Sequence, residues 1–359
     1  MTRKDIDMGT LYDSSLYMDD VAYVAGKDYP FEKLSGSSFV ISGATGMVGS
    51  FLIDVIMKKN AGEGLGCHIY ALGRNEERFL ERFNPYRDSE FLHFIKADLS
   101  RDSEIDVPAA DYVLHAASNT HPLQYSGDPV GTVMTNIMGT DTLLRLAAAK
   151  KAKRFIFASS VEIYGENTGD TDSFDESYLG YIDCNTMRAG YPESKRCGET
   201  LCQAYKAAEG LDIVIPRLSR LYGPTMLKSD SKAISQFIKK GVNREDIILK
   251  SEGTQLYSYT YIADAVAALL FILFNGENGE AYNIVGKDSD LMLKELVGII
   301  ASYAGTSVTF ELPSEKERAG YSTATRATLN GHKLKDLGFS PEYDMKSGLT
   351  RTIEIIRGL

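Results

Sequence analysis

The chain has 359 residues, of which 43% are hydrophobic and 25% charged, which suits a soluble globular protein of one large α/β domain or two domains. A formal net charge of −10 argues against a nucleic-acid-binding protein, which usually carries a basic stripe. The chain has no signal-peptide pattern, no apolar run long enough to span a bilayer and no Cys-x-x-Cys pair, so we expect a cytoplasmic protein with reduced thiols and no membrane partner.

The first part of the chain alternates strands with helices. A polar, tyrosine-rich extension covers residues 1–36 and contains a short amphipathic helical pattern at 14–25. Strands are predicted at 38–42, 68–72, 91–97, 111–117, 154–160 and 212–218, and helices at 50–59, 130–150 and 191–209. This alternation is typical of βαβ units, and it predicts a parallel sheet that is covered on both faces.

The regular alternation of strands and helices ends at about residue 222. Helical patterns at 231–240 and 262–275 mix with short strands at 247–249 and 281–284. We therefore predict an α/β fold in which a Rossmann-type doubly wound parallel sheet occupies residues 37–222. A smaller α/β substrate-binding domain occupies residues 223–359 and returns some segments to the first domain. The cleft between the two parts is the natural ligand site.

Three glycines follow the first strand and open the next helix. Gly43, Gly46 and Gly49 have G-x-x-G-x-x-G spacing. Small residues let the backbone approach a pyrophosphate, and the helix N-terminus offers free N–H groups there. The sequence thus predicts a dinucleotide site that includes Thr45 and Met47, with a plain tight turn as the alternative.

The adenosine end of this site has an unusual pattern. A fold that prefers NAD usually places Asp or Glu after the second strand, but this chain has Gly73 followed by Arg74. Arg74 can stack on adenine or meet the 2′-phosphate of NADP, so NAD is expected and NADP stays open; a solvated arginine is the alternative. Asp98, with Leu99 beside it, is a candidate to accept a hydrogen bond from the adenine amino group, unless it only caps its loop.

A tyrosine and a lysine lie four residues apart near the start of a predicted helix. Tyr191 and Lys195 therefore share one helix face, and Pro192 suits a first helical turn. An ammonium group beside a phenol favours the phenolate, which can take a proton from an alcohol. This pair is uninformative in isolation, because an ordinary surface pair has the same spacing.

Five segments in order make the pattern specific. They are Gly43 to Gly49, His115-Ala-Ala-Ser118, Ser159-Ser-Val-Glu-Ile-Tyr-Gly165, Tyr191-x-x-x-Lys195 and Arg217-Leu-Ser-Arg-Leu-Tyr-Gly-Pro224. Together they resemble the extended short-chain dehydrogenase/reductase family of nucleotide-sugar epimerases, dehydratases and decarboxylases, over about residues 38 to 357. The stretch from His115 to Thr140 is most similar to the UDP-glucuronate decarboxylase branch.

The resemblance implies roles for individual residues. Tyr191 would deprotonate the sugar 4-hydroxyl, Lys195 would assist it and hold the nicotinamide ribose, and Ser160 would bind the same hydroxyl. Asn136 would order the active site, and Ala116, Ala117 and Ser118 would line the cofactor. Oxidation at C4 would give a 4-keto sugar, which permits decarboxylation, elimination or epimerisation, with NAD tightly held and recycled in each cycle.

Glu162 and its neighbour bear on the reaction type. By resemblance, glutamate at this position is typical of dehydratases and decarboxylases, where it serves C5 chemistry or ring distortion. The dTDP-glucose dehydratases carry an aspartic acid just before it, but this chain has Val161, which cannot donate a proton. The pattern favours a UDP-glucuronate decarboxylase-like enzyme. A 4-epimerase or a 4,6-dehydratase remains the alternative, as does a structural role for Glu162.

Two positions depart from the family pattern. Tyr257 stands where the family usually has an arginine for the nucleotide diphosphate, and Arg220 stands where it usually has a substrate-binding asparagine. We expect Arg220 to face an anionic group of the substrate, with a plain ion pair as the alternative. His121, in the loop over the expected sugar site, is a further candidate for substrate contact.

The remaining expectations concern partners. The resemblance implies a homodimer built from the helices at 130–150 and 191–209, although apolar faces buried within one chain would look the same. The five histidines are scattered, so no metal site is predicted. A non-catalytic nucleotide-binding scaffold is the alternative of another class, and the intact Ser160, Tyr191 and Lys195 speak against it.

Overall fold

The computed structural model describes residues 10–118, 127–311 and 324–359. Its larger sheet has the order β11-β7-β5-β4-β1-β2-β3, with β6 beside β7, and every pairing in it is parallel. The strands are β1 (Ser38–Ser42), β2 (His68–Gly73), β3 (Leu92–Lys96), β4 (Tyr112–His115), β5 (Arg154–Phe157), β6 (Ser159–Ser160), β7 (Ile213–Leu218) and β11 (Ala281–Ile284). The predicted doubly wound α/β fold is confirmed.

Helices connect these strands and cover the sheet. The helices are α1 (Ser15–Ala25), α2 (Met47–Glu63), α3 (Glu76–Arg82), α4 (Pro129–Ala149), α5 (Gly190–Glu209) and α7 (Ile262–Asn275). From β1 the chain winds to one side through β2 and β3, and from β4 to the other through β5 and β7. The loops after β1 and β4 therefore diverge, which opens a crevice at the carboxyl ends of these strands.

The strand predicted at 154–160 is divided in two. β5 pairs with Ile213 and Val214 of β7, and β6 pairs again with the end of β7, while Ala158 between them lies outside both strands. The residue of β7 level with Ala158 is Pro216, which has no N–H to donate to the ladder. The break leaves the carbonyl of Ala158 available to a side chain.

The second part of the chain forms smaller sheets and four more helices within the described ranges. The strands are β8 (Arg220–Tyr222), β9 (Ile247–Leu249), β10 (Leu256–Tyr261), β12 (Asp290–Met292), β13 (Val308–Phe310) and β14 (Arg326–Ala327). The helices are α6 (Ala233–Asn243), α8 (Leu293–Ala304), α9 (His332–Asp336) and α10 (Met345–Arg357). Strand β10 is central, because it pairs with β8, β12 and β14.

The N-terminal segment packs between the two parts of the molecule. Helix α1 buries Tyr17, Val21 and Val24 and contacts α2, α7 and α10. The predicted helix at 14–25 is confirmed, and it starts where the Ser14 hydroxyl accepts a hydrogen bond from the backbone N–H of Tyr17.

Buried carboxylates fix this segment at both ends. Asp54 of α2 accepts hydrogen bonds from the hydroxyls of Tyr12 and Tyr17 and pairs with Arg82 of α3. Asp20 of α1 pairs with Arg351 of α10, 2.8 Å away, and accepts hydrogen bonds from two tyrosines of the second part, Tyr261 and Tyr343.

Candidate active site

A cavity of about 700 Å³ lies between the carboxyl ends of the parallel strands and the smaller sheets. Its walls come from the glycine turn, the ends of β4 and β6, the start of α5, strands β8 and β10, and the segment that leads into α6. The cavity brings together most of the residues singled out in the sequence: Gly43, Gly46, Met47, Gly49, Ala116, Ala117, Ser118, Ser160, Glu162, Tyr191, Lys195, Arg220 and Tyr257.

The glycine turn leaves no room for side chains. Gly43 has φ +71°, and a Cβ atom there would lie 2.7 Å from the carbonyl group of Ala116. A Cβ atom on Gly49 would lie 2.5 Å from the carbonyl oxygen of Gly43. The turn runs into α2, whose first residues, Met47 to Gly49, line the cavity and whose first N–H groups have no partner within the helix. This tight turn, with the dipole of a 17-residue helix behind it, fits the pyrophosphate of a dinucleotide.

A buried histidine supports the turn from below. The hydroxyl of Ser42 accepts a hydrogen bond from the N–H of Ala117, 3.2 Å away, and shares a second hydrogen bond with Nδ1 of His115 at 2.8 Å. Burial, together with the charge of Lys195, lowers the pKa of His115 to about 3, so the imidazole is neutral at pH 7. The network ties the ends of β1 and β4 together beneath the cofactor site.

Lys195 is buried at the base of the cavity. Its Nζ donates a hydrogen bond to the carbonyl oxygen of Ala158, 2.8 Å away, at the break between β5 and β6. Burial lowers the pKa of Lys195 to about 8, and the carboxylate of Glu199, one turn along α5, opposes that shift. Lys195 and Tyr191 both line the cavity from the same helix face, as the spacing predicts.

Glu199 fixes this helix face against the sheet. Its carboxylate accepts hydrogen bonds from Nη2 and Nε of Arg217 at 2.7 and 3.1 Å, and from the hydroxyl of Ser159 at 2.5 Å. The ion pair is largely buried, with 12% of the Arg217 side chain and 14% of the Glu199 side chain exposed. This clamp holds α5 next to β6 and β7, so that Lys195 reaches Ala158.

Ser160 and Glu162 lie at the end of β6. The hydroxyl of Ser160 accepts a hydrogen bond from the N–H of Glu162 at 3.2 Å, which starts a 3₁₀ turn over Val161–Tyr164. Val161 is buried, and Glu162 remains partly exposed in the cavity wall. The resemblance implies an acid at the position of Val161 in the dTDP-glucose dehydratases, and the Val161 side chain offers none.

The two positions that depart from the family pattern contact each other. The guanidinium carbon of Arg220 lies 3.6 Å from the centre of the Tyr257 ring, and Nη2 of Arg220 lies 3.6 Å from Oε1 of Glu162. The contact follows from the parallel pairing of β8 with β10, in which Arg220 is level with Tyr259. The hydroxyl of Tyr257 donates to the carbonyl of Ala324 at 2.7 Å.

Sequence reasoning missed other charged residues of the cavity wall. Lys232, Arg188, Lys250 and Asp230 all line it. Burial lowers the pKa of Lys232, and Arg220 lowers it further, whereas Asp230 and Glu162 raise it. Asp230 and Lys232 come from one segment and Arg188 and Lys250 from two others, so only the tertiary structure places all four together.

Several predicted site residues do not line the cavity. Asn136 is buried, where it accepts a hydrogen bond from the Ser118 hydroxyl at 2.7 Å and donates to Ser194 at 2.8 Å, so its only link to the cavity wall among these contacts is Ser118. Asp98 accepts from the Ser100 hydroxyl at 2.6 Å, which lowers the pKa of its carboxyl group, and Arg74 beside it is exposed. The other cases are Thr45 and Leu99, which lie outside the cavity lining, and His121, which lies outside the described residues.

Two absences hold for residues 10–118, 127–311 and 324–359. Within these ranges, no three side chains of histidine, cysteine, aspartate or glutamate are grouped to hold a metal ion. None of the helices found there is long and apolar enough to cross a membrane.

Comparison with known proteins decides the family. A model of the NAD dependent epimerase/dehydratase family matches residues 39–285, which is more than half of the chain. The chain belongs to this family. The resemblance of the sequence motifs is thereby confirmed, and NAD is the cofactor that the family uses and that the glycine turn fits.

Two UDP-glucuronic acid decarboxylases are similar to this chain in sequence over most of its length. UDP-glucuronic acid decarboxylase 1 of Arabidopsis thaliana is 27% identical over 318 residues, which is 89% of this chain and 69% of the plant protein. UDP-glucuronic acid decarboxylase 1 of Xenopus tropicalis is 29% identical over 327 residues, 89% of this chain and 72% of the frog protein.

Solved structures share the fold. UDP-glucose 4-epimerase of Thermotoga maritima has a TM-score of 0.75 at 20% identity, covering 89% of this chain and 98% of that one. UDP-glucuronic acid 4-epimerase of Bacillus cereus, in complex with UDP-glucuronic acid and NAD, has a TM-score of 0.74 at 22% identity, with the same two coverages. Both are epimerases, so the shared fold is compatible with more than one reaction.

Proposed function

We propose that the protein is a nucleotide-sugar enzyme that transiently oxidises the sugar at C4, and that decarboxylation of UDP-glucuronate is its reaction. The observation that carries the proposal is the meeting of Ser160, Tyr191 and Lys195 with the glycine turn in one cavity. The relatives named as UDP-glucuronic acid decarboxylases support the choice of substrate.

Each residue has a physical task in this proposal. The phenolic oxygen of Tyr191 receives the proton of the sugar 4-hydroxyl, and the charged Nζ of Lys195 stabilises the phenolate. The hydroxyl of Ser160 orients the same sugar hydroxyl. NAD, when bound, supplies the acceptor for the hydride of C4 and is restored before the product leaves. The resulting 4-keto group stabilises negative charge at C5.

The residues around C5 favour decarboxylation over dehydration. Loss of CO₂ needs no acid to protonate a leaving group, and Val161 offers none. Glu162 supplies a carboxylate for C5 chemistry. Epimerisation at C4 is the second candidate, because the epimerases of Thermotoga maritima and Bacillus cereus share the fold.

We further propose NAD rather than NADP, and Arg220 as the contact of an anionic substrate group. Asp98 places a carboxylate near Arg74, and this negative charge opposes a 2′-phosphate at the adenosine end. Arg220 offers its guanidinium inside the cavity, whereas the hydroxyl of Tyr257 is engaged with Ala324. Phosphate and carboxylate oxygens are the groups that a guanidinium binds best.

We also propose a homodimer through α4 and α5. These helices pack against each other, and α4 exposes Val130, Met134 and Met138 at four-residue spacing, with exposed fractions of 72%, 45% and 40%. A stripe of large apolar side chains on one helix face is typical of a subunit contact.

Mass spectrometry of products tests the proposed reaction. Incubation with UDP-glucuronate should release CO₂ and a nucleotide pentose, and Tyr191→Phe should lower the rate about 100-fold or more, because the proton acceptor is removed. Unchanged mass with an altered C4 configuration would replace decarboxylation by epimerisation, and loss of water would replace it by dehydration. Full turnover by Tyr191→Phe would contradict the mechanism itself.

A further inference from the structure

The charge of Arg220 is only partly compensated inside the cavity. The Tyr257 ring covers one face of its guanidinium, and Oε1 of Glu162 lies 3.6 Å from Nη2, an ion-pair distance longer than a hydrogen bond. Nη1 is buried and has no hydrogen-bond partner in the described part of the chain. A buried cation with a single long ion pair favours the arrival of a stronger anionic partner.

The two side chains of this ion pair differ in how firmly their neighbours hold them in place. The Arg220 side chain is 20% exposed and stacks on Tyr257, which is itself fixed by the hydrogen bond to the carbonyl of Ala324. The Glu162 side chain is 44% exposed, and within the described ranges the pair at 3.6 Å is its only ion pair. Exchange of partners therefore moves the carboxylate and leaves the guanidinium in place.

A second cation of the cavity wall interacts electrostatically with the same carboxylate. Lys232 lines the cavity within electrostatic reach of both Arg220 and Glu162, and Asp230 lies beside it. An oxyanion that enters between Arg220 and Lys232 gains from both positive charges, whereas Glu162 in its present place is more than 3.5 Å from the nearest guanidinium nitrogen.

We propose that an anionic group of the substrate takes the place of Glu162 on Arg220, so that binding releases the Glu162 carboxylate into the reaction site. Tyr257 is then a positioning residue, because its ring holds the guanidinium where the exchange occurs. The role of the released carboxylate rests on the proposed function, but the exchange itself requires only an oxyanion. A diphosphate and a sugar carboxylate both present such oxygens.

Calorimetric titration of the NAD-loaded protein with UDP, UDP-glucose and UDP-glucuronate tests the exchange without requiring turnover. Glu162→Gln should bind about two- to fivefold more tightly, because the ligand no longer competes with a carboxylate for Arg220. Arg220→Gln should bind about tenfold more weakly, and adding Glu162→Gln to it should change nothing further. In a Tyr257→Leu background, Glu162→Gln should increase the ligand affinity by a smaller factor. In a Tyr257→Phe background, which keeps the ring, it should retain most of that increase.

The three ligands distinguish the two sources of the anion. Tighter binding of UDP by Glu162→Gln assigns the exchange to the diphosphate, and a gain confined to UDP-glucuronate assigns it to the carboxylate. Two results would overturn the inference while leaving the proposed function intact. One is that Glu162→Gln binds all three ligands no more tightly than the wild-type protein does. The other is that Glu162→Gln increases the affinity equally when Arg220 is replaced by glutamine. Exchange without turnover of any sugar nucleotide would overturn the proposed function alone, and no binding of any ligand would overturn both.

Discussion

Single residues set the charge of the proposed proton-handling centre. Lys195 has a pKa of about 8 because burial disfavours its charged form, and Glu199 counteracts this effect. The charged amine that the mechanism requires is therefore present below pH 8 and is lost as the pH rises above it. We expect the activity to show an alkaline limb near this value.

Replacement of Glu199 by glutamine should move that limb to lower pH. The substitution keeps the size of the side chain and removes the negative charge that raises the pKa of Lys195. The pH dependence of kcat measures the shift. Arg217 loses its ionic partner in this variant, so the melting temperature should fall as well.

Glu193→Gln is the matched control on the same helix. Glu193 is 38% exposed, lies 3.9 Å from Arg196 and does not line the cavity, so its replacement should leave the alkaline limb in place. An unchanged limb in Glu199→Gln would show that another group controls the alkaline side of the profile.

At the scale of elements, α4 carries the proposed dimer contact. Met134→Glu places a charge in the centre of the exposed apolar stripe, and we expect it to convert a dimer into a monomer, because an unpaired charge would be buried in the contact. Light scattering on the purified protein measures the change in mass. Leu337→Glu, which adds the same charge to an exposed leucine of the second part, should leave the mass unchanged. A wild-type monomer would contradict the prediction.

Periodicity predicted most elements to within a few residues, but not their partners. The predicted strand at 38–42 has the same bounds as β1, and the predicted helix ends at residue 209, as α5 does. A continuous apolar run marks the strand locally, and Gly210 marks the end of the helix. The break at Ala158 depends on Pro216 of another strand, and short strands such as β8 have too few residues for a pattern.

The same limit applies to the site. Gly43 and Lys195 were predictable because motif spacing carries their chemistry. The contact of Arg220 with Tyr257 joins residues 37 positions apart through the pairing of β8 with β10, and no local signal encodes it. Lys232 was equally unpredictable from the sequence, since only tertiary structure brings its segment to the cavity wall.

At the scale of the whole molecule, buried carboxylates join the N-terminal segment to the rest. Asp264 of α7 is one of them, and it accepts hydrogen bonds from the N–H groups of Glu342 and Tyr343 and from the hydroxyl of Tyr23. Burial outweighs these hydrogen bonds and raises the pKa of Asp264 to about 6. The folded state therefore holds this proton to a higher pH than the unfolded chain does.

The contribution of Asp264 to stability should fall as the pH rises from about 4 to about 6, since the folded protein binds the extra proton in this window. The full change is about 3 kcal/mol in the free energy of unfolding. Urea unfolding at several pH values measures it. Asp264→Asn, which cannot ionise, should lack this part of the slope, and an identical slope in both proteins would contradict the assignment.

The stacking of Arg220 on Tyr257 has a consequence for how relatives are recognised. The resemblance of the sequence implies an asparagine at the position of Arg220 and an arginine at the position of Tyr257, and a comparison position by position counts these as two independent losses. In space, a guanidinium still faces the cavity, supplied from β8 instead of β10. Family members that differ in this way would be grouped correctly by where the positive charge lies in the cavity, and not by the residue at one aligned position. A search that accepts arginine on either strand would find them.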